Sequence, residues 1–434
     1  MAGTNRVCDP DAMTPNNDVT DTDAIVVGAG VAGLAAAAEL HRLGRRCIVL
    51  EADGRIGGRA HTIDFAGSPL DLGASWLHAA ERNPLAEMAQ AEGERLLDSD
   101  NLRCRRVMIG DRSATPAELA ARDAAAGRFE AVATARAGQP PDIALADAID
   151  SLRGDPWTAT IETWEASMIA AADARDFSVV DWHRNALDGA NLVVPGGLGA
   201  YVARRLGPPA GNVRTGRAVR RIAWDGPVSV ATDAGVLTAQ ACIVTVSTGV
   251  LASGAIAFDP PLPGPVQDAL HGLPMGLLTK VALRTDGDRL GLAESMSLSR
   301  RVEHAGEPAI SFFAWPFGAN PVVGFIGGPP AWALAGVGAA GTIDFARTRL
   351  REMLGADAER HVTGGAVSTW GTDPNFLGAY AYARPGSAGA RAVLGTPLAG
   401  GRLILAGEAV RTDGLAGTMG GAWLAGVEAA RSAA

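Results

Sequence analysis

Gly28, Gly30 and Gly33 stand at the spacing G-x-G-x-x-G, between the β-branched run at 25–27 and an alanine-rich stretch. A second apolar run at 47–50 closes on Glu51. In such a pattern each glycine has its own task. The first makes a tight turn, the second lets backbone approach a pyrophosphate, and the third lets a helix pack closely on a sheet. Phosphate then rests on the exposed N–H groups of the helix N-terminus, and an acid at the position of Glu51 accepts the hydroxyls of a ribose. The glycines alone would also suit a turn with no ligand. With strand, helix and acid all at the required interval, dinucleotide binding is the chemistry expected.

A second candidate is a single side chain. Of 38 basic residues, Lys280 is the one lysine and the other 37 are arginines. Guanidinium is planar and permanently charged, whereas an ammonium is a compact donor whose pKa falls on burial. A lysine retained in so arginine-rich a chain is either a stray surface residue or a site that needs a titratable amine.

These residues need elements to hold them. The run from 24 to 51 reads as strand, helix to about Leu43, a stop at Gly44, and a second strand. Stretches 116–137 and 157–174 are alanine-rich with charges at helical intervals and are expected to be helices. The turn at 195–199 (PGGLG) and the Pro/Gly-dense run 260–276 mark crossings between domains. At 434 residues the chain is long for one core. The net charge is −9 with both signs interspersed, which argues against nucleic acid or an anionic membrane as partner. Four scattered cysteines (Cys8, Cys47, Cys104, Cys242) with no CxxC suggest neither a metal site nor a disulfide framework, and fit a reducing cytoplasm. No stretch reaches the ~20 apolar residues of a membrane span, and residues 1–21 read as a polar, disordered tail.

Further motifs follow in order. Residues 54–59 (GRIGGR) come directly after the second strand, then 70–78 (LDLGASWLH) and Asn83-Pro84. Residues 219–251 read as a hairpin and a strand. Residues 275–283 (MGLLTKVAL) hold Lys280, 370–380 (WGTDPNFLGAY) hold Trp370 and Tyr380, and 405–430 hold Gly407-Glu408 and Thr418-Met419. Together these resemble the flavin-containing amine oxidases: monoamine oxidases, polyamine oxidases and lysine-specific histone demethylases, with polyamine oxidases the nearest in motif. The resemblance covers nearly the whole chain.

That resemblance implies non-covalent FAD held by Gly28, Gly30, Gly33, Glu51, Arg59, Gly73, Ala74, Ser75, Trp76, Val219, Trp370, Gly407, Glu408, Thr418, Met419 and Ala422. It places Lys280 near the reactive edge of the flavin and Tyr380 as one wall of an aromatic cage. Thr418 stands where monoamine oxidases carry the second cage tyrosine, as in polyamine oxidases, which suits longer secondary amines. Ala379 replaces the cysteine that links flavin covalently. His78 is either a hydrogen-bonded loop histidine or a contact to a distal substrate nitrogen. Tyr382 and Trp315 either line the cavity or fill the core. Glu162, Glu165 or Asp173 would hold a second ammonium or else lie on a solvated helix face. Three departures stand out: Asp53 where many relatives have arginine, Ala79 for a glycine, and Ser247 for a proline.

The expected fold is α/β, a discontinuous Rossmann-like FAD-binding domain (22–85, 205–265 and 385–434) with a second α+β substrate-binding domain. The latter (86–204 and 266–384) is expected to be helical in its first part and mixed in its second. The expected activity is oxidation of a C–N bond of a polyamine or other extended secondary amine, with a small-molecule amine and oxygen as partners. The chain would act as a monomer or homodimer in the cytoplasm. Oxidation of a bulky primary monoamine, a desaturase or protoporphyrinogen-oxidase-like reaction, and a non-catalytic flavoprotein scaffold are the alternatives.

Overall fold

A computed structural model describes residues 22–433. The expectation of a tail at 1–21 lies outside them. The apolar runs flanking the glycine motif form a five-stranded parallel sheet in the order Leu403–Leu405, Ala241–Val244, Ala24–Val27, Cys47–Leu50, Val213–Arg214. Every residue of the first four is buried, as a parallel sheet covered on both faces requires. Successive side chains alternate between the layers. Ala24 and Val26 enter the core shared with helices Val31–Arg42, Leu198–Ala210 and Met419–Ala433. Ile25 and Val27 enter the core shared with a four-stranded layer built around the hairpin Val219–Ala223 and Val228–Thr232.

The helix after the glycines runs Val31–Arg42 and stops where Gly44 takes φ +75°, as the sequence suggested. Helices Pro84–Ala91 and Leu198–Ala210 span positions 85/86 and 204/205, and both bury apolar residues in the core of the parallel sheet. Those two expected boundaries therefore fall inside helices.

A seven-stranded sheet makes the second layer, in the order Val362–Val367, Leu278–Thr285, Val322–Gly327, Ser311–Ala314, Met296–Arg300, Cys104–Ile109, Arg112–Ser113. Its last two strands come from the stretch expected to be helical. Arg105 and Arg106 break the alternation that would mark Cys104–Ile109 as a strand, because the start of this outer strand is exposed. Helix Pro116–Ala137 forms as expected, closed by a reciprocal cap between Thr115 and Glu118 with Pro116 at its first turn. The stretch 157–174 is not one helix. An α-helical turn, Thr158–Glu162, passes into a π-helix, Thr163–Ile169, and Ala171 then takes φ +57°. Among the described residues no helix is long and apolar enough to cross a membrane.

Candidate active site

The strand ends deliver the first residues. Gly28 sits at φ +99° with its N–H donated to the Leu50 carbonyl at 2.8 Å. A Cβ on Gly33 would lie 1.9 Å from the Gly28 carbonyl oxygen, so the helix reaches the sheet only with glycine there. Gly30 differs: a Cβ on it would meet no protein atom within 4 Å, because it faces an open cavity. Glu51 accepts N–H donations from Ala29 (2.6 Å) and Asp53 (2.8 Å). Burial pushes its pKa up, and the two backbone donors oppose that. Each oxygen keeps acceptor capacity toward the cavity that Glu51 and Val219 line. Asp53 carries its own arginine, with Arg55 Nε 3.2 Å away.

Arg59 crosses to the C-terminal strand region. Its Nη1 donates to the Ala379 carbonyl at 2.6 Å and to Glu408 Oε1 at 3.0 Å, and the Ala381 N–H also reaches Oε1 at 3.2 Å. Glu408 Oε2 is buried with no hydrogen-bond partner. An ionised carboxylate oxygen left so is costly, and it lies in the wall of the same cavity. Gly407, just before it, holds φ +140°. A bound group that donates to Oε2 and fills the space above Gly30 is what these residues lack.

Lys280 lies in strand Leu278–Thr285, only 4% exposed. Its Nζ donates to the Asp71 carbonyl at 2.9 Å, the Gly73 carbonyl and Ser75 Oγ, which engages all three ammonium protons. The Trp76 and Phe325 rings lie 5.6 and 5.5 Å away. Burial pulls its pKa from 10.5 down to about 8. Gly73 permits the approach, since a Cβ there would strike the Arg59 carbonyl at 1.7 Å, and the Ala74 N–H bonds that same oxygen at 3.1 Å. Trp370 is buried behind them, its Nε1 donating to the Leu72 carbonyl at 3.0 Å.

Tyr380 donates its hydroxyl to the Ile169 carbonyl at 2.8 Å, tying its ring to the end of the π-helix. Burial, then the nearby Glu408 charge, raises its pKa. The Thr418 hydroxyl donates to the Leu415 carbonyl (2.7 Å) and accepts the Gly421 N–H (3.0 Å), so it caps the helix Met419–Ala433. Its role in the wall is to start that helix, which presents Met419 and Ala422 to the cavity. Ser247 makes use of its departure from proline. Its Oγ donates to the Phe376 carbonyl at 2.6 Å and caps helix Thr248–Ala252.

His78 donates Nδ1–H to Asn191 Oδ1 at 2.6 Å and lines the cavity. Burial lowers its pKa, and Arg103 and Lys280 add to that. Trp76 stacks on it at 6.1 Å and donates Nε1 to Ser99 Oγ at 3.2 Å. The three acidic candidates separate cleanly. Glu162 is bound by Arg153 and Asp173 by Arg175, and neither lines the cavity. Glu165 does line it, held by Trp182 Nε1 at 3.0 Å, with its pKa raised by burial. It sits on the π-helix, a rare device that re-aims side chains and recurs at functional sites. Tyr382 also lines the cavity, whereas Trp315 belongs to the core of the second sheet.

All these walls enclose one cavity of about 1530 Å³. It runs from Gly28, Glu51 and Val219 past Glu408 and Lys280 to Tyr380, Glu165 and His78. Gly33 is absent from its lining, being spent on packing. Sequence reading missed three groups that complete it. Asp181 and Arg391 form a buried bidentate pair, at 2.8 Å for both contacts, that also accepts the Ala383 N–H and donates to the Ala381 and Ala409 carbonyls. Arg103 lies against Trp76 and Phe313. Asn191 orients His78. None sits in a motif, and two are hidden among 37 arginines.

Comparison with known proteins bears directly on this geometry. The family model for flavin-containing amine oxidoreductases matches residues 31–106 and 170–434. A probable polyamine oxidase 4 of Arabidopsis thaliana is 29% identical, with 97% of this chain and 88% of that protein covered. Polyamine oxidase 4 of Oryza sativa subsp. japonica is 28% identical over 94% of this chain and 87% of its own. Lysine-specific histone demethylase 1 homolog 2 of Arabidopsis thaliana is 28% identical, but the match spans only 58% of it. Among solved structures, a putrescine oxidase bound to putrescine has the same fold, with a TM-score of 0.78, 21% identity, and 95% and 99% of the two chains covered. The unpartnered Glu408 oxygen, the open space over Gly30 and the ribose-seeking Glu51 fit FAD. The chain belongs to the flavin-containing amine oxidoreductase family and is a flavin-dependent amine-oxidising enzyme.

Proposed function

We propose that the protein oxidises a C–N bond of a polyamine or another extended secondary amine, passing the electrons to oxygen and releasing hydrogen peroxide. The observation that carries this reading is the single cavity in which Lys280, Tyr380 and Glu165 face the same space as Gly30 and Glu408. The length of the plant polyamine oxidases over which the match runs supports it.

Gly28, Gly30, Glu51, Arg59, Val219, Glu408 and the start of helix Met419–Ala433 would hold FAD, with Ala379 offering no thiol for a covalent link. When bound, FAD supplies the acceptor for the hydride leaving the carbon beside nitrogen. The resulting imine is then hydrolysed to an aldehyde and an amine. The chain's own work is orientation and charge. Tyr380 presents a π face that aligns the amine, and its bond to Ile169 fixes the ring. The reacting nitrogen must lose its proton, and a lysine that titrates near 8 can accept or relay one. Glu165 attracts a second ammonium further along the cavity, which favours long amines over short ones. Orientation of this kind is worth ~7–11 kcal/mol when reacting atoms are held at near-attack distance. In this reading 22–85, 205–265 and 385–434 serve FAD, and 86–204 and 266–384 serve the amine.

The test is anaerobic mixing of the yellow protein with spermidine, spermine, putrescine and benzylamine. Bleaching by the longer amines, weakened in Glu165→Gln, supports the reading. Bleaching by benzylamine alone replaces it with a monoamine oxidase.

A further inference from the structure

Arg103 stands out among the side chains facing the cavity. Its guanidinium carbon lies 5.2 Å from the Trp76 ring and 4.8 Å from the Phe313 ring. Its Nε is buried with no partner. Among the described residues no carboxylate comes within ion-pair distance of it, and none of its nitrogens makes a hydrogen bond; Arg59 and Arg391, which line the same cavity, are both hydrogen-bonded and ion-paired. The opposite charge acting on it is that of Asp100, whose Oδ2 is engaged by Asn191, accepting its N–H at 3.1 Å and its Nδ2 at 2.9 Å.

An arginine that burial has partly desolvated is normally paired, since an unmet charged donor is expensive. Here the planar fork is instead held against two aromatic rings, which restricts its direction in advance and leaves its donors unused. Lys280 borders the same Trp76 ring, so a second basic side chain stands beside Arg103 in this part of the cavity. It repels the second ammonium of a diamine. The acidic wall at Glu165 lies elsewhere, on the π-helix tied to Tyr380.

We infer that Arg103 is an anion-binding residue of the substrate cavity, and that this site takes amines carrying a carboxylate away from the nitrogen that is oxidised. The inference rests on the amine-oxidase reading of the same cavity and adds carboxylate-bearing members to the extended secondary amines it takes. A carboxylate would accept two parallel bonds from the guanidinium fork, leaving Trp76 and Phe313 against the aliphatic part.

The test uses the FAD-loaded enzyme and titration calorimetry with benzoate and with benzamide, its neutral analogue. Wild type is expected to bind benzoate and not benzamide. Arg103→Met should weaken benzoate by about tenfold or more, and Arg103→Lys by less, because the charge stays while the fork is lost. Melting temperature and FAD content of both variants should match wild type. In flavin reduction, an N-methyl ω-amino acid should outperform the N-alkylamine lacking its carboxylate, and Arg103→Met should erase the difference. Equal benzoate affinity in wild type and Arg103→Met, or no preference over benzamide, overturns the inference. If benzoate binding depends on Arg103 while no amine reduces the flavin, the anion site stands and the amine-oxidase reading fails.

Discussion

Lys280 and Arg103 share one indole. The Lys280 Nζ lies 5.6 Å from the Trp76 ring and the Arg103 guanidinium carbon 5.2 Å from it. Trp76 therefore touches both the residue that titrates and the residue that cannot. Both cations also disfavour protonation of His78, on top of its burial, so His78 enters the cavity as a neutral hydrogen-bonding ring near pH 7.

Lys280 makes stability depend on pH in a defined direction. Its folded pKa of about 8 is below the usual 10.5. Between those values the unfolded chain binds the extra proton, so stability rises with pH across that window, and below about 8 the burial penalty is fully present. Thermal melts of wild type and Lys280→Met should show wild type gaining on the variant by on the order of 2–3 kcal/mol from about pH 8 to pH 10. A constant difference would contradict the assignment. The variant should also lose the limb near pH 8 in the rate of flavin reduction, with the rate down by about 10²–10⁴.

Two glycines of one motif should fail differently. Gly33→Ala forces a methyl against the Gly28 carbonyl and should yield little folded protein. Gly30→Ala meets no protein atom, at an ordinary φ of −72°. Its apo form should melt within about 0.5 kcal/mol of wild type, while FAD binds at least about tenfold more weakly. Unchanged FAD affinity would place the cofactor's phosphates elsewhere.

Glu408→Gln keeps the shape of the side chain but gives up the charge facing Arg59 and the free oxygen. FAD retention after gel filtration, read from the visible absorbance per chain, should fall, with the dissociation constant up by about tenfold. Retention equal to wild type would show that Oε2 does not receive a cofactor donor.

The pair Asp181–Arg391 holds Ala381 and Ala383 on either side of Tyr382, directly after Tyr380. Asp181→Ala leaves a buried guanidinium unpaired and should cost about 3–5 kcal/mol, measured by denaturant unfolding. Replacing both residues with leucine and methionine should recover part of the loss. If the double variant is no better than the single, the cost lies in the backbone contacts and not in the stranded charge.

The nucleotide end was legible because its chemistry fixes types and spacing at once. Gly28, Gly33 and Glu51 each have a steric or hydrogen-bonding reason to be the residue they are. Lys280 was legible for another reason, its rarity in this chain. Arg103 and Arg391 were not, since arginine is the common base here and their meaning comes from what they touch. The strand Cys104–Ile109 was hidden by charges on a sheet edge. Glu165 was one of three equal candidates until the change from α- to π-helix turned it alone toward the cavity. Thr418 read as an open cage wall, yet its hydroxyl is used within the helix cap.

The measurement that bears most directly on the central claim is anaerobic stopped-flow mixing of wild type and Lys280→Met with spermidine, spermine, acetylated spermine, putrescine and benzylamine, followed by air. Wild type should bleach fast with the extended secondary amines and recover in air with one peroxide per flavin, and the variant should bleach slowly. Bleaching by benzylamine alone, or by no amine at all, would contradict it.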